Sequence, residues 1–133
     1  MTIVVQNNGE GDALEYFVNR AAPKNMVLRL YTNNITPAET DVAATYTEAA
    51  GNGYGAITLT VATWGAPSEG APSSIAYAEQ TFTFTGALGN VYGLFCTRAS
   101  SGRIALSERF TGAPVVVTNN GDTIKVTPQV TAD

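Results

Sequence analysis

Apolar and hydroxyl-bearing side chains take turns through the C-terminal half of the chain. Rings and hydroxyls alternate in Gln80-Thr81-Phe82-Thr83-Phe84-Thr85-Gly86. The run Thr123-Ile124-Lys125-Val126-Thr127 alternates in the same way after the turn Asn119-Asn120-Gly121-Asp122. A strand sends successive side chains to opposite faces, so this pattern predicts half-buried strands joined by tight turns. Strand candidates follow one another at Ala76 to Thr85, Val91 to Thr97, Arg103 to Phe110, Val115 to Thr118 and Thr123 to Thr131. Between them lie Gly86-Ala87-Leu88-Gly89, Ser100-Ser101-Gly102, Gly112-Ala113-Pro114 and the Asn119 turn. Such short, regular spacing predicts a mainly β fold, an antiparallel β-sandwich or barrel-like domain with Greek-key or meander connections.

The N-terminal half carries a different period. Ile3 to Val5 is a short β-prone run that Asn7-Asn8-Gly9 ends. Asp12 is placed to cap a helix, with Glu15 completing a capping box, and Leu14, Phe17, Val18 and Ala21 fall on one helical face. This predicts one short N-terminal α-helix, about 12–22, that packs its apolar stripe against the sheet and stops at Pro23. Asn19 and Arg20 are left to water or a neighbour. Met26 to Tyr31 reads as a strand, Thr36 to Asp41 as a Pro37-directed loop, and Tyr46 as the start of a half-extended segment that Gly51-Asn52-Gly53 interrupts. Ile57, Leu59 and Val61 are predicted to share one strand face. The stretch Gly65 to Ser74, with Pro67, Pro72 and three serines around Glu69, has the composition of an exposed, mobile loop. There is no internal repeat and no boundary, so residues 1–133 read as a single β domain with an N-terminal arm at 1–8.

Composition sharpens the picture. Of the 133 residues 44% are hydrophobic and 14% charged, against roughly 25% charged in an average soluble domain. Much of the surface is then Thr, Ser, Asn, Gly and Ala, which suits a protein that lies against other protein. The net charge of -4 and the scatter of the seven Lys and Arg residues argue against a nucleic-acid partner. The lone Cys96 sits in an apolar run and reads as a small buried hydrophobe. No segment has the length of a membrane span or the pattern of a signal peptide, so folding in a cytoplasm is the expectation and Asn34-Ile35-Thr36 is read as an accidental glycosylation sequon.

Candidate chemistry is sparse. The absence of histidine removes the usual general base, the Ser and Cys triads and the commonest zinc ligand. A glycosidase needs two facing carboxyl groups, and Glu79 and Glu108 are the pair the strand region offers. Alternation places Glu108 on the face of Ile104, Leu106 and Phe110, where a carboxylate is costly unless paired. It is therefore read as a structural ion-pair or hydrogen-bond partner, of Arg29 or Arg98, at the rim of the core. Neither Glu39, Asp41 and Glu48 nor Glu10, Asp12 and Glu15 has the pattern of a calcium loop. Gly51-Asn52-Gly53-Tyr54-Gly55 precedes a strand, which makes it a turn and not a phosphate loop. Tyr31, Tyr46, Tyr54, Tyr77 and Tyr92 read as core and sheet-face packing. Trp64, beside the 65–74 loop, is the exception, an aromatic placed to anchor either that loop or a neighbouring subunit. No enzyme, cofactor or metal site is predicted.

Several phrases in order resemble a family of small structural proteins encoded by tailed bacteriophages. They are Leu28-Arg29-Leu30-Tyr31-Thr32-Asn33-Asn34 with Thr36-Pro37, Tyr46-Thr47-Glu48, Gly53-Tyr54 leading to Thr58-Leu59, Trp64, and Gln80 to Gly86. Val91-Tyr92-Gly93, Ser107-Glu108-Arg109-Phe110 and Asn119 to Pro128 continue the set. Leu106 departs from the aromatic, such as Trp, expected before the Ser/Ala-Glu-Arg-Phe phrase. The resemblance implies a non-enzymatic virion protein, assembled in the bacterial host cytoplasm. Within a virion the small, charge-poor β domain favours a capsid decoration (cement) protein that binds the major capsid protein and copies of itself as a trimer. A tail, baseplate or fibre-attachment component is the alternative, and a carbohydrate-binding adhesin domain a further one. The assembly contact is expected at Ile3, Val4 and Val5, at Trp64, and along one strand edge.

Overall fold

The computed structural model describes residues 3–132. It is mainly β, with 37% of residues in strands and 13% helical. In chain order the elements are β1 (Ile3–Val5), α1 (Asn7–Phe17), β2 (Met26–Tyr31), β3 (Ile57–Leu59), β4 (Ser73–Ala76), β5 (Gln80–Thr83), β6 (Gly89–Val91), β7 (Gly93–Arg98), β8 (Ile104–Arg109), β9 (Val115–Val117), β10 (Thr123–Val126) and β11 (Gln129–Ala132). Single 3₁₀ turns occupy Ala43–Thr45 and Val61–Thr63. Five strands form one antiparallel sheet in the order β1-β8-β7-β2-β3, and the rest pair as the ribbons β10-β5, β11-β4 and β6-β9. An antiparallel, mainly β fold with one N-terminal helix is what the hydrophobic pattern predicts.

The core lies between the five-stranded sheet and the ribbons. Leu28 and Leu30 of β2, Leu94 and Cys96 of β7 and Leu106 of β8 meet Phe82, Val91, Val117, Ile124 and Val126 from the ribbons, with Phe84 among them. The alternate residues Tyr31 and Phe95 pack on the other face with Tyr46 and Ile104. Both sides of the central strands are therefore covered, which is why β7 and β8 are buried at nearly every position.

Ile104 and Leu106 do not share a face, contrary to the simple alternation. The register shifts at Cys96/Thr97, so that Leu106 opposes Cys96 and Ile104 opposes Thr97. The extra residue, Ala105, bulges out of β8 and sends Ile104 to the Tyr31 side.

Three predicted strands each prove to be two, because the chain changes partners midway. The run from Val91 splits at Tyr92: β6 pairs with β9, while β7 enters the large sheet. Tyr92 holds the corner, its N–H bonded to the Tyr31 carbonyl at 2.9 Å and its own carbonyl accepting from the Phe110 N–H at 3.0 Å. Likewise β10 pairs with β5 and β11 with β4. Ser73 and Ser74, predicted to be loop, open β4, and Ser74 bridges Ser68. Val61 leaves the face of Ile57 and Leu59 for the 3₁₀ turn and is 41% exposed. The Asn119 turn forms as predicted. There Asp122 Oδ2 accepts the Thr118 and Asn119 N–H groups at 2.9 Å each, which holds its carboxyl below the usual carboxylate range.

The helix departs most from expectation. It begins at Asn7 after Gln6, and Asp12 is not its cap. Asp12 lies inside α1, buried, and pairs with Arg98 of β7. Gly9 sits so close to the Ala105 carbonyl that a Cβ there would overlap it. Only this narrow face can approach the sheet, so Leu14, Phe17 and Val18 point away from it and are 68%, 89% and 66% exposed. The expected arm is likewise built in: Ile3, Val4 and Val5 oppose Glu108, Ser107 and Leu106 as an edge strand, and Asn7-Asn8 already belong to the helix. Met1 and Thr2, the start of that arm, and Asp133 lie outside the described residues.

Candidate functional site

Two of the predicted contact residues come together. Val5 and Trp64 both line an apolar cleft of about 270 Å³ beside α1, whose helical wall is Gly9, Asp12, Ala13 and Tyr16. Trp64 is half-buried, its ring edge-on to Tyr77 at 5.2 Å, and packs against the core. It is part of a wall and not a flat open platform. Ile3 also packs against the core, and Val4 opposes Ser107, so the β1 residues do not form one exposed patch.

Immediately beside the cleft, α1 carries Leu14 and Phe17 into solvent, together with Val18 at its C-terminal end. At about 100° per residue, Gly9, Asp12, Ala13 and Tyr16 fall on one side of the helix and Leu14, Phe17 and Val18 on the adjoining side. A hollow and a ridge of the same apolar chemistry therefore lie next to each other on one element. The hydrophobic spacing marked the ridge correctly as a stripe. It did not mark its direction, because the close approach at Gly9 and the Asp12–Arg98 pair set the rotation of the helix.

A buried polar cluster ties this region to the sheet. Gln6 Nε2 donates to Ser107 Oγ at 2.5 Å and to the Ala38 carbonyl at 3.3 Å, and Tyr46 Oη lies 2.9 Å from Ser107 Oγ and 2.8 Å from Asp41 Oδ2. Burial pushes the Tyr46 phenol well above its ordinary value. Gln6 is fully buried, and nothing in the local sequence pattern marks it. The cluster holds the chain around Ala38 to Tyr46 against β8.

The other candidate groups are dispersed. Arg29 forms a bidentate pair with Glu48, at 2.9 and 2.7 Å, and Tyr54 Oη also donates to Glu48 at 2.9 Å. Glu79 meets Lys125 at 3.7 Å, with more than half of each side chain exposed. Both of the arginines expected to partner Glu108 are thus committed elsewhere, and the expected ion pair of Glu108 with Arg29 or Arg98 is not formed. Those arginines meet the carboxylates that the fold brings nearest, Glu48 across β2 and Asp12 from the helix. Among the described residues no group of three or more potential ligands is placed to hold a metal ion. Cys96 is fully buried, and burial pushes its thiol to about 12. It is a core residue, as its apolar neighbours predict.

Glu108 is 8% exposed, on the wall of a second cleft with Leu94, Phe110 and Lys125. Burial raises its carboxyl above the ordinary value of 4.5. A carboxyl that holds its proton more tightly when folded makes stability fall as pH rises through the window opening at that value. Glu108→Gln is therefore expected to remove this slope and to raise the midpoint of urea unfolding at pH 7. Unfolding curves of both proteins at intervals between pH 4 and 8, on the order of the window set by carboxylate titration, check it; parallel profiles would refute it.

Comparison with known protein families, with curated proteins and with solved structures finds no match.

Proposed function

We propose that this chain is a structural subunit of a tailed-phage virion, a decoration protein that binds the head surface and stabilises contacts between major capsid subunits. One observation carries the reading: a chain with only 14% charged residues turns Leu14 and Phe17 of α1, and Val18 at its C-terminal end, outward beside an apolar cleft. Contiguous exposed apolar surface of this kind marks a protein contact. Asp12, Glu48 and Glu79 are held in separate ion pairs, and among the described residues no second carboxylate lines the cleft of Glu108, which fits a role in assembly better than one in catalysis.

The experiment is quantitative gel densitometry of purified particles. A decoration protein is present in a number comparable to that of the major capsid protein. A handful of copies per particle would move the protein to the tail, baseplate or fibre attachment, and its absence from particles would end the virion reading.

A further inference from the structure

We propose that the ridge of α1 and the cleft beside it are the two halves of one contact, in which Phe17 of one copy enters the cleft of a second copy of this chain. The proposal rests on the reading that the protein works by packing against neighbours, and it names the neighbour of this surface.

The argument is one of size and chemistry. Phe17 stands at the end of the helix, 89% exposed, flanked by Leu14 and Val18, which are about two-thirds exposed. An exposed ring of this kind offers about 150–250 Å² for burial, and with its two neighbours it makes the apolar centre of a contact of about 800 Å² per partner. The cleft of about 270 Å³ is walled by Val5, Ala13, Tyr16, Met26, Trp64 and Val130. A cavity of about 150 Å³ with such a lining already holds a benzene ring, so this cleft has room for a phenyl group and part of a flanking side chain. Of the charges at the cleft, Asp12 and Arg98 are paired with each other, and Lys24 is an exposed residue whose ammonium can stay in water while its stem lines the wall. The interior of the cleft therefore calls for no charged occupant, and Leu14, Phe17 and Val18 bring none.

Ridge and cleft lie on adjoining sides of the same helix, so each copy presents both halves. Two helices meeting about a two-fold axis exchange both rings at once, and a closed ring of copies passes each Phe17 to the next cleft. Either arrangement covers every ridge, which leaves no apolar stripe open to water. The two arrangements differ in mass.

The test is sedimentation equilibrium of the purified full-length chain, with Phe17→Ser and Ala13→Trp in parallel. The wild type is expected to be a dimer or a closed ring at micromolar concentration. Phe17→Ser removes the inserted ring and should weaken association by at least about 30-fold, the loss of a central anchor. Ala13→Trp fills the cleft from its own wall and should do the same. Both positions are exposed, so the thermal midpoints of the dissociated proteins should match each other, which separates loss of contact from loss of fold. A wild-type monomer at about 100 μM, a concentration at which even weak contacts of micromolar Kd are populated, overturns the proposal. So does either variant keeping the wild-type mass. Particle densitometry reads the virion assignment independently: a monomer found abundantly on heads would defeat this contact and leave the decoration role standing.

Discussion

Phe84→Ala is expected to lower the free energy of unfolding by about 3–5 kcal/mol. The ring has no exposed surface and belongs to the cluster where the five-stranded sheet meets the ribbons. Its backbone is fixed on both sides, the N–H bonded to the Asp122 carbonyl at 2.9 Å and the carbonyl accepting from Gly121 at 2.8 Å. The surroundings therefore cannot slide in to fill the space, and the cost belongs at the upper part of the range for a deleted core ring. Domains of this size have total stabilities of about 5–15 kcal/mol, so the variant should lose a large share of its stability. Urea titration followed by tryptophan emission measures it through Trp64, which packs on the same core. A loss below about 1 kcal/mol, the size of a single deleted methylene, would mean that the two layers do not close over this residue.

Gly93→Ala is expected to cost as much as or more than the top of the about 1–3 kcal/mol range of overpacking. An added Cβ would overlap the Glu108 carbonyl and lie 2.6 Å from Tyr31 Oη and 2.7 Å from Tyr31 Cε1. Neither obstacle yields easily. The carbonyl belongs to β8, paired with β7 along most of its length, and Tyr31 is fully buried with its ring held edge-on to Tyr46 at 5.0 Å. Gly11 supplies the control. It lies inside α1 with nothing within 4 Å of an added Cβ, so Gly11→Ala should stabilise the protein by about 0.5–1 kcal/mol through helix propensity. The same chemical change thus has opposite signs at two glycines, and thermal melting of the two variants reads both. Equal effects would refute the close approach at the start of β7.

Much of the fold is legible in the sequence, and the exceptions have physical causes. The ring and hydroxyl alternation from Gln80 to Thr85 does bury Phe82 and Phe84 and expose Thr81, Thr83 and Thr85. Cys96 among apolar neighbours is a core residue. The same reasoning misplaces the α1 stripe, because periodicity identifies which residues share a side of a helix but not which side meets the sheet. Gly9, too small to register in any hydrophobic pattern, makes the approach, and Asp12 finds Arg98 across 86 residues of sequence. The cost of a buried carboxylate predicts an arginine beside Glu108. Its expected partners were claimed by Glu48 and Asp12, a competition decided only when distant segments close together.

For the candidate site the division is similar. Val5 and Trp64, more than fifty positions apart in the chain, were each marked as contact residues, and the fold brings them to one cleft. The helical wall of that cleft and the outward turn of Phe17 were not marked. By itself the amino-acid order determined an antiparallel, mainly β domain with one N-terminal helix, its turns and most of its buried rings, since these depend on spacing along a single element. The tertiary structure alone decided where strands change partners, which carboxylate meets which arginine, and that the apolar face of the helix looks outward, because each of these depends on which surfaces arrive beside one another when the chain closes on itself.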